Sequence, residues 1–241
     1  MQSWKDQFPK ECRYFETDNG ILYNCDCLSL IKQFPKECID LIITDPPYAI
    51  SYKTNRRKNK EHEFCSEIAN DNDPEVLKEA IPFFYDLLKQ DKAIYIFGSW
   101  KTVDIFKPLV SQYFNLKNII IWYKNSWTTG DLKAQFGQQY EIIYYGNKGR
   151  AIFNGKRFPD VWQFDRVVGK KQIHQNQKPI EMIEKMLNIH SKESDLVLDI
   201  FAGSGTTLVA SENLNRRWIG VELEAKYCEI IKDRILGCQN D

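Results

Sequence analysis

Short apolar runs of about five to eight residues, alternating with helix-spaced stretches, predict an α/β fold. The expected architecture is a seven-stranded, mostly parallel sheet with helices on both faces. Two turns support it. Gly203-Ser204-Gly205 separates an apolar run from a helix-spaced one, and Asp45-Pro46-Pro47-Tyr48 directly follows the apolar run 38–44. Open α/β sheets bind ligands at turns of this kind, at the carboxyl ends of strands.

Taken in order, residues 21–25 read as a strand and 26–34 as a short helix with Leu28, Ile31 and Phe34 apolar. Residues 38–44 read as a buried strand. Residues 74–90 are helical, with Pro74 suited to the start and Pro82 to a kink. Strands follow at 92–98, 116–123, 139–145, 196–200 and 218–222. Helices follow at 102–113, 179–190, 206–214 and 225–236. Residues 49–73 and 125–175 break the alternation, as lids or binding elements do. The reading is one domain over 1–241, with no internal repeat.

Composition fits a folded chain. Of 241 residues, 43% are hydrophobic, 27% charged and 13% aromatic, which excludes a disordered chain. No run approaches the ~20 apolar residues of a membrane helix. The start of the chain lacks an apolar segment behind basic residues, so it does not read as a secretory signal. The 7 cysteines form no Cys-x-x-Cys pair and no Cys/His ligand spacing, so free thiols in a reducing, cytoplasmic setting and no metal site are expected. Basic and acidic residues balance at 33 each, so any nucleic-acid contact must come from a local positive face. The densest basic run is Arg56-Arg57-Lys58-Asn59-Lys60, and a second basic stretch spans 166–178.

In the Gly turn, Val197-Leu198-Asp199-Ile200-Phe201-Ala202-Gly203-Ser204-Gly205-Thr206 runs from strand through turn into helix. The next strand ends on Glu222, about twenty residues on, where an acid can hold a ribose diol. A nucleoside triphosphate would want a lysine after the second glycine, and none is there. A dinucleotide would want a third glycine where Leu208 stands. S-adenosylmethionine has no phosphates to cradle and does need an acid for its ribose, so it fits. A plain strand-to-helix turn is the alternative.

In the second turn, two prolines remove two backbone donors and stiffen the chain. A stiff turn can aim the Pro46 carbonyl at a fixed point beside the Asp45 carboxylate. Two acceptors can hold both N–H groups of an exocyclic amino group, and Tyr48 offers a face for a base. The alternative is a strand-ending turn with a buried tyrosine.

With both motifs in view, the chain resembles the β class of DNA amino-methyltransferases, in which the Asp-Pro-Pro-Tyr turn precedes the Gly turn. Tyr23-Asn24-Cys25-Asp26-Cys27, Ile120-Ile121-Trp122-Tyr123-Lys124-Asn125, Glu141-Ile142-Ile143-Tyr144-Tyr145 and His174-Gln175-Asn176-Gln177-Lys178-Pro179 resemble its other segments. The last departs from the family's His-Pro-Thr-Gln-Lys-Pro at Gln175 and Asn176. The resemblance implies a permuted, Rossmann-like methyltransferase sheet with S-adenosylmethionine as methyl donor. It implies catalysis by Asp45, Pro46, Pro47 and Tyr48. Implied cofactor contacts are Asp26, Asp45, Lys178, Asp199, Phe201, Ala202, Gly203, Ser204, Gly205, Thr206 and Glu222. Asp at the first position of the proline turn accompanies adenine N6 methylation in this class, and Ser cytosine N4 methylation.

The implied substrate is double-stranded DNA with one base flipped out. A mobile loop over 49–73, with Arg56, Arg57, Lys58 and Lys60, would grip phosphates. A target-recognition insertion over 126–172 would read base edges, with Arg157 and Arg166 among its contacts. A homodimer and a cognate restriction endonuclease are the further partners the resemblance raises. His62 and His190 read as surface or helix-end histidines. Phe83, Phe84 and Tyr85 read as core, and Trp100 as either core or pocket lining. Competing readings are an N4-cytosine DNA methyltransferase, an RNA or protein-amide methyltransferase and a non-catalytic nucleic-acid-binding protein of the same fold.

Overall fold

The computed structural model describes residues 3–47, 75–127, 131–167 and 177–238. Among them is one sheet of nine strands, not seven. In chain order the elements are β1 (Arg13–Glu16), β2 (Gly20–Asn24), α1 (Cys27–Ile31), β3 (Ile39–Thr44), α2 (Glu75–Leu87), β4 (Leu88–Gly98), α3 (Val103–Tyr113), β5 (Asn115–Tyr123), β6 (Tyr140–Lys148), β7 (Val161–Gln163), α4 (Ile180–His190), β8 (Leu196–Asp199), α5 (Thr206–Asn213), β9 (Arg217–Glu222) and α6 (Ala225–Cys238). The two unexpected strands, β1 and β7, are the sheet's edges. The order across it is β1-β2-β9-β8-β3-β4-β6-β5-β7.

Five neighbouring strands, β2, β9, β8, β3 and β4, run parallel. β6 is antiparallel to both β4 and β5, and β1 is antiparallel to β2. The chain leaves β3 through α2 toward β4 on one side. It leaves β8 through α5 toward β9 on the other. The strand order therefore reverses between β3 and β8, which is where open α/β sheets bind ligands.

Alternation along each strand builds the two faces. Ile42, Ile94, Ile96 and Leu198 join the core under α1, α2 and α3, with Phe84 and Phe106 at its centre. Leu41, Ile43, Ala93 and Val197 point the opposite way, against Met182 and Met186 of α4. Leu22 and Trp218 pack with Leu208 of α5 and Ile231 of α6. Every residue of β3 is buried. Full burial of an aliphatic side chain contributes about 1.5–3 kcal/mol, so burial places this strand.

Its register against β8 is tied at both ends. At the start, Asp40 accepts a hydrogen bond from the Leu196 amide at 3.0 Å and an ion pair from Lys89 at 2.8 Å. At the finish, the Thr44 hydroxyl donates to Asp199 Oδ1 at 3.2 Å.

Several local expectations change. α2 ends at Leu87, three residues short of the expected bound, with Pro82 inside it. His190 does end a helix, but it is only 6% exposed, so it is not a surface residue. Its Nδ1 lies 2.7 Å from the Tyr95 hydroxyl and its Nε2 3.0 Å from that of Tyr145. Burial pushes its pKa down to about 4, so the ring is neutral at pH 7. Phe84 is core as expected, whereas Tyr85 reaches the surface, where the Lys148 ammonium lies over its ring. The stretch 126–172 holds β6, which lies between β4 and β5 in the sheet. It also holds the edge strand β7, so among its described residues what stands outside the sheet is the chain flanking β6 and β7. Among the described residues no helix is long and apolar enough to cross a membrane, and no group of His, Cys, Asp or Glu could hold a metal ion.

Candidate active site

The two corners singled out in the sequence are 155 residues apart at Thr44 and Asp199, yet hang from adjacent parallel strands. β3 ends in Asp45-Pro46-Pro47 and β8 in the Gly turn. Both line one cleft of about 190 Å³. The cleft collects Asp26, Asp45, Pro46, Pro47, Lys178, Asp199, Phe201, Ala202, Gly203, Ser204, Thr206 and Glu222. Tyr48, Arg56, Arg57, Lys58, Lys60, His62 and His174 lie outside the described residues.

The Gly turn uses its two glycines differently. Gly203 has φ +52°, and a Cβ there would come no nearer than 4.0 Å to the Phe201 carbonyl, so its backbone stays open to a ligand. Gly205 does not line the cleft. It has φ +76°, and a Cβ there would meet Ile231 of α6 at 2.7 Å. Gly205 thus packs helix against turn.

Acids dominate the lining. Asp26, Asp45, Asp199, Glu222 and Glu224 face the cleft, with Lys178 as the single basic side chain among its described residues. Asp26 caps α1, accepting from the Ser29 amide at 2.8 Å, which holds its carboxyl below the ordinary range. Glu222 accepts from the Gly203 amide at 2.9 Å and the Glu224 amide at 2.8 Å, and burial still pushes its pKa up. Burial likewise raises Asp199 to about 7, against the hydrogen bonds it accepts from Thr44 and the Phe201 amide. An acid-rich cleft with a bare backbone turn suits a cationic ligand and repels phosphates.

Asp45 is held from the far side. Lys178, 7% exposed, places Nζ 2.5 Å from Asp45 Oδ2 and 3.4 Å from Glu141 Oε2. Its stem lies against the Phe97 ring, with the ammonium 4.9 Å from the ring centroid. Glu141 also pairs with Lys124, whose ammonium sits 4.5 Å from the Trp122 ring centroid. Burial pulls Lys178 down, but Asp45 and Glu141 outweigh it and raise its pKa. Burial pushes Glu141 up, but Lys178 and Lys124 outweigh it and hold it ionised. Burial lowers Lys124 despite Glu141.

Phe97, Glu141 and Lys124 carried no assigned role in the sequence. Phe97 had a usable signal, as the last apolar residue of a strand beside β3. Arg166 is half-buried, and its positive charge helps to depress Lys124. Arg157 lines a second cavity, of about 350 Å³, which shares no residue with the cleft. Trp100 is 44% exposed and does not line the cleft. Burial pushes the thiols of Cys25 and Cys27, at the cleft edge, up to about 11 and 12, so neither suits a nucleophilic role.

An α/β sheet with an acidic cleft at its switch point, lined by a glycine corner and a proline corner, is the architecture of a group-transfer enzyme built around a nucleoside cofactor. Residues 39–159 and 153–233 match the N6/N4 methyltransferase family, described as DNA methylase, and the chain belongs to that family. It is 30% identical over 271 residues to the type II methyltransferase M.BamHI of Bacillus amyloliquefaciens, covering 95% of this chain and 60% of that one. The M1.HpyAVI-SAM complex superposes with a TM-score of 0.68 at 27% identity, over 89% of this chain and 98% of that one. The cytosine-N4-specific PvuII DNA methyltransferase shares the fold, with a TM-score of 0.75 at 19% identity over 96% of this chain and 95% of that one.

Proposed function

We propose that this DNA methyltransferase moves a methyl group from S-adenosylmethionine to the N6 amino group of an adenine flipped out of duplex DNA. The observation that carries the reading is the adjacency of β3 and β8, which hangs the proline corner and the glycine corner over one acidic cleft. Family membership and the likeness to an S-adenosylmethionine-bound relative support the donor. Asp45 as first residue of the proline corner supports adenine.

Bound, S-adenosylmethionine supplies an electrophilic methyl on a sulfonium, and the amino nitrogen takes that methyl as the carbon–sulfur bond breaks. Asp45 and the Pro46 carbonyl accept the two N–H groups and aim the nitrogen lone pair. The nitrogen gains positive charge, which the Asp45 carboxylate opposes, and then loses one proton. Glu222 would hold the ribose, and the open Gly203 backbone would let the cofactor approach. Tyr48 would stack on the base. Arg56, Arg57, Lys58, Lys60 and the segments flanking β6 would hold the duplex.

The test is expression in a host that lacks DNA methylation, followed by sequencing that detects modified bases. N6-methyladenine at one short motif is the expected result. N4-methylcytosine would overturn the adenine reading, and unmodified DNA the DNA reading.

The raised pKa of Asp199 has a consequence for cofactor binding. A sulfonium nearby favours the carboxylate form. Below pH 7, binding must expel the Asp199 proton; above it, no proton need leave. Cofactor affinity should therefore rise with pH through about 7, the value to which burial raises Asp199, and level off beyond. The slope on the acid side should approach about tenfold per pH unit. In the free protein the sign is opposite: stability falls as pH climbs from the ordinary carboxylate range through 7, because the folded state holds the proton longer. Titration calorimetry from pH 5.5 to about 8.5 checks the binding curve. S-adenosylhomocysteine, whose sulfur is neutral, should show a shallower slope, and equal slopes for the two ligands would remove the argument.

A further inference from the structure

Four charged side chains from four separate segments converge beside the proline corner: Asp45 after β3, Lys178 before α4, Glu141 at the start of β6 and Lys124 after β5. Buried ion pairs stabilise a fold little compared with apolar residues of the same volume. Their placement at the amino-holding corner calls for another reason. Lys178, drawn onto Asp45 at 2.5 Å, offsets the negative charge that must face a nitrogen becoming positive. Glu141 works against that. Its Oε2 is buried, has no hydrogen-bond partner among the described residues and stands 3.4 Å from the same ammonium. Its other oxygen is taken by Lys124.

We propose that Glu141 is a positioning residue for methyl transfer: by competing with Asp45 for the Lys178 ammonium, it sets how much negative charge Asp45 presents to the incoming amino group. The inference rests on the methyltransferase reading above. Glu141 touches neither base nor donor and acts through Lys178. Lys124 acts in the opposite sense, because it occupies Glu141 and weakens its pull.

The opposed senses make the test. Single-turnover methylation is followed on unmethylated genomic duplex DNA, with enzyme in excess and saturating tritiated S-adenosylmethionine, for the wild type, Glu141→Gln and Lys124→Met. Glu141→Gln should slow the step by about tenfold or more while cofactor Kd and the DNA concentration for half-maximal rate stay within about twofold. Lys124→Met leaves Glu141 with Lys178 alone and should speed the step, by about twofold or more. A role confined to holding the fold would slow both. A Glu141→Gln rate equal to wild type overturns the inference, as does a loss carried by cofactor or DNA affinity, or a slower Lys124→Met. If Glu141→Gln does not fold, the sign of the Lys124→Met change decides alone. A wild-type chain that methylates no DNA overturns the methyltransferase reading, and this inference with it.

Discussion

Asp45→Ala should leave cofactor binding within about twofold and reduce methyl transfer by about a thousandfold or more. The separation follows from the geometry. Asp45 stands on the proline corner, at the end of β3, whereas the open backbone and the ribose acid belong to β8 and β9. Alanine removes one of two acceptors for the amino group and the charge that opposes the positive nitrogen. It also removes the 2.5 Å ion pair between Lys178 and Asp45, while the pair with Glu141 at 3.4 Å stays. Asp45→Asn is the stricter comparison, because it keeps the volume but turns an N–H donor toward donors. Both variants should bind S-adenosylmethionine by calorimetry and fail in a tritium-transfer assay. Transfer within about tenfold of wild type for Asp45→Ala would remove Asp45 from the chemistry.

Gly205→Val should cost about 3 kcal/mol or more in stability. Two penalties add there. The backbone sits at φ +76°, which a β-branched residue adopts at high cost, and the first added carbon would lie 2.7 Å from Ile231 of α6. The clash is with a core residue that has no room to yield. Gly203→Ala, two residues earlier, should lose only about 1–2 kcal/mol, from its backbone conformation, and show its main defect in cofactor affinity. Urea unfolding of both variants, followed by cofactor titration of whichever remains folded, checks the pair. Equal stability of the Gly205→Val chain and the wild type would mean that α6 does not rest on this turn.

Those two glycines also show where sequence reading stops. A Gly-x-Gly pattern announces a tight turn and a close backbone approach, but not what approaches each residue. For Gly203 it is open space over the cleft; for Gly205 it is a helix more than twenty residues further along the chain. The parallel strands were legible because burial on both faces makes their sequences apolar throughout. β1 and β7 were not, for the same reason reversed. Arg13-Tyr14-Phe15-Glu16 alternates half-buried and exposed, and Val161-Trp162-Gln163 buries one residue of three. Edge strands carry a weaker apolar signal, and three or four residues are too few to show a period.

Most residues that line the cleft were legible because they cluster around two short motifs. The charge network was not. Asp45, Lys124, Glu141 and Lys178 lie on four segments, and only the strand order brings them to one place. His190 looked unremarkable because nothing near it in sequence announces Tyr95 and Tyr145 as its partners.

The ring of carboxylates around the cleft also bears on how a nucleic-acid strand can come near. A phosphodiester, itself an anion, is turned away by the surface that draws in a sulfonium. The backbone must halt at the rim, where cations outside the cleft can hold it, and only a neutral ring can complete the journey inward. On the reading proposed above, extrusion of the base is then imposed by electrostatic filtering as much as by distance: a nucleobase can enter the pocket once it has parted company with the charges of its own strand.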